Sequence, residues 1–434
     1  MKTSKRVLLA TIASLFPAVS MATDGYFAHG YGMRAKGMGG AATAMTGDTF
    51  GAANNPAAMV WAGDRLDVGV DYFRPVRGAT REGSPGLGAG SLNTSVDSDS
   101  KSFLIPEFGY NHLINSDLAF GVTVYGNGGL NTNYAGGQLN CGAGPRTANA
   151  LCGSGRLGVD LIQLIIAPTL SYKLGANHSI GVAPLLGYQR FKAEGLQAFD
   201  NAPGFPPFTS SPGNVTNRGY DTATGYGLRI GYLGKVADGV TVGAAYASKI
   251  AMSRFDKYKG LFAEQGDFDI PENYNFGVAF QALPAVLIAL DYQRINYAKV
   301  QSVGNPSTNR APLGVSGGPG FGWRNIDVVK VGIEYQYSPQ LTLRAGYNHA
   351  QNPVTSRNVS FNIIAPGVVQ NHVTLGLSSA IGKDSEITLS YMHAFENKVS
   401  GGSFFNNLGF GPVGGQETIK MYQNSLGIAY GRRF

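Results

Sequence analysis

Period-2 alternation, restarted about fourteen times between residue 64 and the end of the chain, constrains this sequence more than any other feature. Ile180, Val182, Pro184, Leu186 and Tyr188 hold one parity; Gly181, Ala183, Leu185, Gly187 and Gln189 hold the other. The same division runs from Ile162 to Tyr172, from Val286 to Tyr292, from Val329 to Tyr337 and from Ile387 to Tyr391. One face of each segment is large and apolar, the other mostly small or polar. About ten residues is the length a tilted strand needs to cross a bilayer, and a closing Tyr suits an aromatic girdle at the headgroups. The pattern predicts strands near 64–77, 98–113, 117–127, 156–173, 178–192, 222–234, 240–251, 271–281, 285–297, 324–337, 341–349, 370–380, 386–397 and 420–434.

The connections separate a soluble β-protein from a membrane barrel. Short turns fall at Ile114–Ser116, Leu174–Asn177, Lys235–Gly239, Ala282–Pro284, Ser338–Gln340 and Ile381–Ser385. Long Gly-, Pro- and Asn-rich loops fill every other connection. Short turns on one side and long loops on the other is the up-and-down layout of an outer-membrane barrel. Composition agrees, with only 14% charged residues beside 62 Gly, 22 Tyr and 23 Phe. The fold class expected is therefore all-β: a transmembrane antiparallel barrel of about 14 strands in the outer membrane of a Gram-negative bacterium. The last strand closes on Phe434, which looks like the signal read by the barrel-assembly machinery; Arg432, near that end, departs from the usual apolar pattern.

Residues 1–22 carry a basic start, an apolar run and Ser20-Met21-Ala22, the pattern of a cleaved secretory signal. Beyond them no apolar run is long enough for a spanning helix. The formal charge of +7, less the leader's Lys2, Lys5 and Arg6, leaves +4 spread without a basic stripe. That argues against nucleic acid as a partner and leaves outer-membrane lipid as the surface contact. Cys141 and Cys152 share one Gly-rich loop and are expected to form a disulfide in an oxidising compartment. Closing so small a loop contributes roughly 3 kcal/mol in the chain-entropy view. The six histidines show no metal spacing, and no cofactor motif stands in its structural context. Gly314-Val315-Ser316-Gly317-Gly318 matches G-x-S-x-G but lies in a Pro/Gly loop, away from any strand-turn-helix setting. The chain does not read as an enzyme.

Ahead of the strands, Asp24–Met59 is weakly charged, dense in Gly and Ala, and without period. Such backbone needs polar walls around it. Eight strands fill a barrel with their own side chains, and 16–18 leave an open channel. A barrel of about fourteen falls between, and this segment is available to fill it. Three parts are therefore expected: a leader at 1–22, a plug at 23–60 and a barrel at 61–434.

Asp24-Gly25-Tyr26-Phe27, Lys36-Gly37-Met38-Gly39-Gly40-Ala41 and Asn55-Pro56-Ala57 leading into the first strand resemble the FadL family, over essentially the whole mature chain. That family comprises outer-membrane channels for long-chain fatty acids and other hydrophobic compounds, including members that import aromatic hydrocarbons. The resemblance implies a gating hatch in the lumen, with Asn55, Pro56 and Ala57 at its NPA position by the exit and Asp24, Gly25, Tyr26 and Phe27 as its mobile end. It also implies capture among outer loops and sideways exit through a kink in the third strand. Gly126, Asn127, Gly128 and Gly129 occupy that place; by spacing alone they are equally a strand end entering a loop.

The loops carry apolar clusters of their own: Phe199, Phe205 and Phe208; Phe255, Leu261 and Phe262; Phe404, Phe405 and Phe410. Such clusters either bind a hydrophobic ligand or pack the loops together. Parity turns Leu161, Ile165, Leu185 and Phe191 inward, together with Arg229, Lys249, Lys330 and Arg344, and sets Asp291 and Glu334 among them. The cations would suit a fatty-acid carboxylate or form structural pairs. The function expected is passive uptake of hydrophobic molecules by a monomer, long-chain fatty acids first. Aromatic hydrocarbons are the alternative, and a general polar-solute porin is less favoured.

Overall fold

The computed structural model describes residues 23–85, 91–137, 139–142, 147–200, 208–407 and 414–434. The leader at 1–22, Phe205 and Phe410 lie outside the described residues. Fourteen strands form the wall: β1 Arg65–Pro85, β2 Phe103–Leu113, β3 Leu118–Asn131, β4 Gly158–Leu174, β5 His178–Glu194, β6 Asp221–Ala237, β7 Val240–Ala247, β8 Asn273–Leu283, β9 Val286–Ile295, β10 Ile326–Ser338, β11 Leu341–Ala350, β12 Asn371–Ile381, β13 Ser385–Gly402 and β14 Gln416–Arg433. Each pairs antiparallel with the next, and β1 pairs β14 from Arg65↔Arg433 to Glu82↔Gln416, closing the barrel. Two short strands stand outside the count: Ser91–Asp97 pairs the outer end of β1, and Ala251–Met252 pairs β6.

The expected alternation of faces is present. Tyr172, Ile180, Val182, Leu186, Leu290, Ile333 and Ile428 are exposed, as a lipid-facing surface requires. Strand ends differ from expectation where pairing outlasts the alternation. β1 runs to Pro85 and β14 begins at Gln416, because ladder hydrogen bonds persist above the bilayer, where no face need stay apolar. β7 stops at Ala247 rather than 251, and β9 at Ile295 rather than 297. Among the described residues no helix is long and apolar enough to cross a membrane.

Inside the wall runs the chain from Thr23 to Trp61, almost wholly buried, with only short helical turns at Met33–Gly37, Gly51–Asn54 and Pro56–Trp61. Inward side chains of the strands satisfy its backbone. Asp291 accepts from the Ala42 and Thr43 amides (both 2.8 Å), Thr374 bonds the Gly37 carbonyl (3.0 Å) and Thr123 the Thr49 carbonyl (2.7 Å). Lys36 pairs with Asp71 at 2.8 Å, both side chains buried. The small inward parity has its reason here. A Cβ at Gly181 or Gly231 would collide with Asn55-Pro56-Ala57, and at Gly346 with Met38 and Gly39. The strand glycines let the segment lie directly on the wall.

Candidate functional site: a bulged strand and an apolar cavity

The third strand carries a discontinuity. Its ladder with β4 shifts register between Gly126↔Leu164 and Gly128↔Gln163, leaving Asn127 as the extra residue of a bulge. On the other edge, pairing with β2 ends at Val124↔Phe108, although β2 continues to Phe103, where it pairs Phe73 of β1. From Tyr125 outward, therefore, β3 has β4 on one side and no β2 ladder on the other. Gly126–Gly129 is not a strand end entering a loop, since β3 continues to Asn131.

The N-terminal residues occupy that discontinuity. Phe27 forms a bridge with Gly128; the Ala28 amide donates to the Asn127 carbonyl (3.1 Å), and the Gly129 amide to the Tyr26 carbonyl (3.2 Å). The Tyr31 hydroxyl donates to the Asn127 carbonyl at 3.2 Å. A Cβ on Gly128 would strike the Tyr26 carbonyl, so the approach requires Gly. Two stretches singled out separately in the sequence thus meet through their backbones. Asp24 is fully buried; its carboxylate accepts from Asn348 (3.3 Å) and lies 3.8 Å from the Lys330 ammonium. Burial raises the Asp24 carboxyl to about 6 against the opposing pull of Lys330 and Asn348.

Asn55-Pro56-Ala57 sits on another part of the wall. The Asn55 amide group donates to the Thr43 and Tyr232 carbonyls (both 2.8 Å), and its oxygen accepts from the Ala57 amide (3.1 Å), capping the turn that follows. The Ala57 carbonyl accepts the hydroxyls of Ser171 and Ser179 at 3.1 and 2.8 Å. Ser171, Ser179 and Tyr232 belong to β4, β5 and β6, and among the described residues no hydrogen bond joins the tripeptide to the β3 bulge.

Among the outer loops an open cavity of about 590 Å3 is lined by Phe199, Phe208, Arg310, Leu313, Phe361 and Phe404. It adjoins a tighter apolar neck of about 40 Å3 lined by Leu151, Leu196, Phe199, Leu261, Phe262, Phe321, Phe361 and Ile364. Phe199, Phe208, Leu261 and Phe262 are thus gathered around one space. Phe255 is not: fully buried, it packs on Phe191 and Phe262 at 5.6 and 6.0 Å, behind the lining. Phe405 lies under Arg81, with the guanidinium 4.3 Å from its ring. The loop aromatics pack on one another and also enclose this space. Cys141 and Cys152 are disulfide-bonded, and Leu151 beside them lines the neck. Phe361, Leu313, Ile364, Tyr297 and Trp323 were not singled out from the sequence, because loops carry no periodicity to flag them.

The inward cations are mostly engaged. The Lys330 ammonium donates to the His29 carbonyl and to Gln293, both at 2.9 Å. Arg344 holds Glu334 at 2.7 Å, and Glu334 also takes Arg34 at 3.2 Å. Lys249 does not face the lumen. β7 ends before it, parity lapses, and its half-exposed side chain pairs with Asp269. Asp291 serves the inner segment's amides rather than a cation. Arg229 is buried with a 3.4 Å hydrogen bond to Asn273 and, among the described residues, no carboxylate in ion-pair range. Ser316 lies in the loop between β9 and β10.

The family described as outer membrane protein transport protein (OMPP1/FadL/TodX) matches residues 9–403. Among solved structures, the Pseudomonas putida toluene transporter TodX superposes with a TM-score of 0.67 at 20% identity, over 95% of this chain and 100% of that one. A Pseudomonas aeruginosa FadL homologue gives 0.68 at 17% identity, over 94% and 100%. The Ralstonia pickettii toluene transporter TbuX gives 0.62 at 17%, over 94% and 99%. At these identities the likeness is one of fold. No curated protein matches the sequence.

Proposed function

The chain belongs to the OMPP1/FadL/TodX family of outer-membrane transport proteins, and from that premise we propose that it carries hydrophobic small molecules passively across the outer membrane. Cargo enters the open cavity among the loops and passes the apolar neck. It then leaves sideways between β2 and β3 when Asp24–Phe27 lets go of the bulge. The observation that carries this reading is the junction at Gly128, where the inner segment supplies the backbone partner that β2 does not. In this reading residues 23–60 act as a hatch. A lumen filled by that segment speaks against a polar-solute porin.

The cargo we favour is a neutral hydrophobic compound, with aromatic hydrocarbons as the leading class. The neck lining contains no charged side chain, and Lys330 and Arg344 are bound to internal partners. TodX and TbuX are toluene transporters. Long-chain fatty acids are the second reading, favoured by Arg229 in the lumen and by Arg310 at the open cavity.

The test is uptake of labelled toluene, oleate and sucrose by cells with and without the protein. We expect toluene entry to rise severalfold, with sucrose unchanged. A gain for oleate alone would move the cargo to the second reading, and equal entry of both hydrophobic compounds with and without the protein would sink the proposal.

A further inference from the structure

The loop between β9 and β10, residues 296–325, touches both the cavity and the N-terminal junction. Ser302 and Phe321 line the neck, while Tyr297 reaches Asp24–Phe27. Tyr297 is fully buried. Its hydroxyl accepts the amides of Tyr26 (3.1 Å) and Phe27 (3.3 Å) and donates to the Asp24 carbonyl (2.5 Å). Its ring meets Tyr26 at 4.9 Å and Trp323 at 5.1 Å, both edge-on. A side chain at Gly25, where φ is +70°, would run into this ring. The residues Tyr26–Ala28 are thereby held from two sides, by one loop hydroxyl and by the bulge of β3.

The two arms of that loop are laced together. The Phe321 amide donates to the Ser302 carbonyl (3.2 Å), and the Trp323 amide to the Val303 carbonyl (2.9 Å). Displacement of the neck lining therefore reaches Trp323 and the Tyr297 ring set edge-on against it. A space of about 40 Å3 is far below the ~150 Å3 of a cavity that takes up a benzene-sized molecule. A hydrophobic molecule passing through therefore displaces the lining, to which Ser302 and Phe321 belong, and close-packed interiors transmit such shifts.

We propose that Tyr297 is the positioning residue that couples occupancy of the neck to release of Asp24–Phe27 from the β3 bulge. The proposal rests on the laterally gated reading above. A hydroxyl with three backbone partners within four residues, Asp24, Tyr26 and Phe27, acts as a clasp: moved by a fraction of its hydrogen-bond length, it loses all three together.

The experiment uses the full-length protein folded in detergent and compares it with Tyr297→Phe, which keeps the ring and removes the hydroxyl. Amide hydrogen exchange of residues 23–31 is followed with and without saturating 1-aminoanthracene, a fluorescent neutral aromatic probe whose binding is titrated in parallel. In the unmodified protein we expect slow exchange that accelerates about tenfold with probe. In Tyr297→Phe we expect it to be about tenfold faster from the start and insensitive to probe, with probe affinity changed by less than threefold. Gly25→Ala, which presses on the Tyr297 ring from the other side, should act in the same direction if Tyr297→Phe folds poorly. Exchange in Tyr297→Phe that matches the unmodified protein and still answers to probe would overturn the clasp alone. Failure of the probe to bind the unmodified protein would overturn the transport reading and the clasp with it.

Discussion

The two ends of the inner segment face the same wall and are held in different ways. At the Asn55–Ala57 end, side-chain amide and hydroxyl groups lock onto β4, β5 and β6, which are continuously paired there. At the Asp24–Ala28 end, backbone groups meet a bulged strand that lacks a ladder on one side, and a hydroxyl from a loop completes the contact. The first contact closes on groups that cannot move without breaking the barrel. The second closes on groups whose own neighbours are already unpaired or borne by a loop. In the proposed reading one end is an anchor and the other a gate, and the distinction lies in what the partner strand is doing rather than in the segment itself.

The strongest way to break that comparison is Asn55→Ala. It strips a donor from the buried Thr43 carbonyl and from the part-buried Tyr232 carbonyl, and removes the cap on the turn at Pro56. The orphaned buried Thr43 carbonyl costs roughly 1–3 kcal/mol, the lost bond to Tyr232 about 1 and the lost cap about 1, so the segment should lose on the order of 4 kcal/mol of docking. The barrel ladder is untouched, and heat-modifiable migration on gels should persist. Limited proteolysis should cut within residues 23–61, and sucrose should begin to enter proteoliposomes. A variant that stays resistant and tight would remove the anchor assignment.

The gate end should respond to pH, and the anchor should not. The Asp24 carboxyl, raised to about 6 by burial, titrates near 3.8 when exposed. The docked state therefore favours the proton. Its contribution is complete below about pH 4 and is lost as pH rises through 6, an effect of roughly 3 kcal/mol at most. Exchange protection of residues 23–31, corrected for intrinsic rates, should fall between pH 4 and 7.5, while that of residues 55–61 stays level. Asp24→Asn should flatten the dependence; an unchanged slope in that variant would assign it to another group.

How much of this was legible beforehand follows from what imposes a period. Lipid outside and a packed segment inside force alternation, so the strand count and the facing of Ile180 or Leu186 could be read directly. The glycine run at 126–129 was legible as a weak point because few other sequences allow close backbone approach. Ion pairs were not, because Arg34 and Glu334 stand 300 residues apart and neither carries a mark of the other. Parity also misleads beyond a strand end. Counting on past Ala247 turned Lys249 inward, and running the strand on past Ile295 to 297 placed Tyr297 in the wall rather than beside Asp24.

A smaller, local break is Gly128→Ala. The new methyl meets the Tyr26 carbonyl, and the two hydrogen bonds flanking the Phe27 bridge must lengthen. At about 1 kcal/mol each, docking of the gate should weaken by about 2 kcal/mol. Residues 23–31 should exchange faster by roughly the corresponding factor of thirty, and sucrose should remain excluded because the anchor is intact. Sucrose entry would mean that the two ends act as one unit.

The mildest test belongs at the anchor, where the comparison demands a small effect without consequence for the gate. The Trp61 indole donates to the Ser179 hydroxyl at 2.8 Å and lies between the ammonium groups of Lys235 and Lys173, 4.1 and 4.9 Å from its ring. Trp61→Phe removes the donor and weakens both cation–ring contacts, but Ser179 keeps its bond to the Ala57 carbonyl, so no buried donor is orphaned. Half-exposed contacts of this kind are worth about 0.5–1 kcal/mol each at most. Docking of residues 55–61 should weaken by about 1 kcal/mol, seen as a few-fold rise in their exchange, while residues 23–31 exchange as before. Acceleration at both ends by the same factor would show that the segment docks as one rigid body, and the division into anchor and gate would fail.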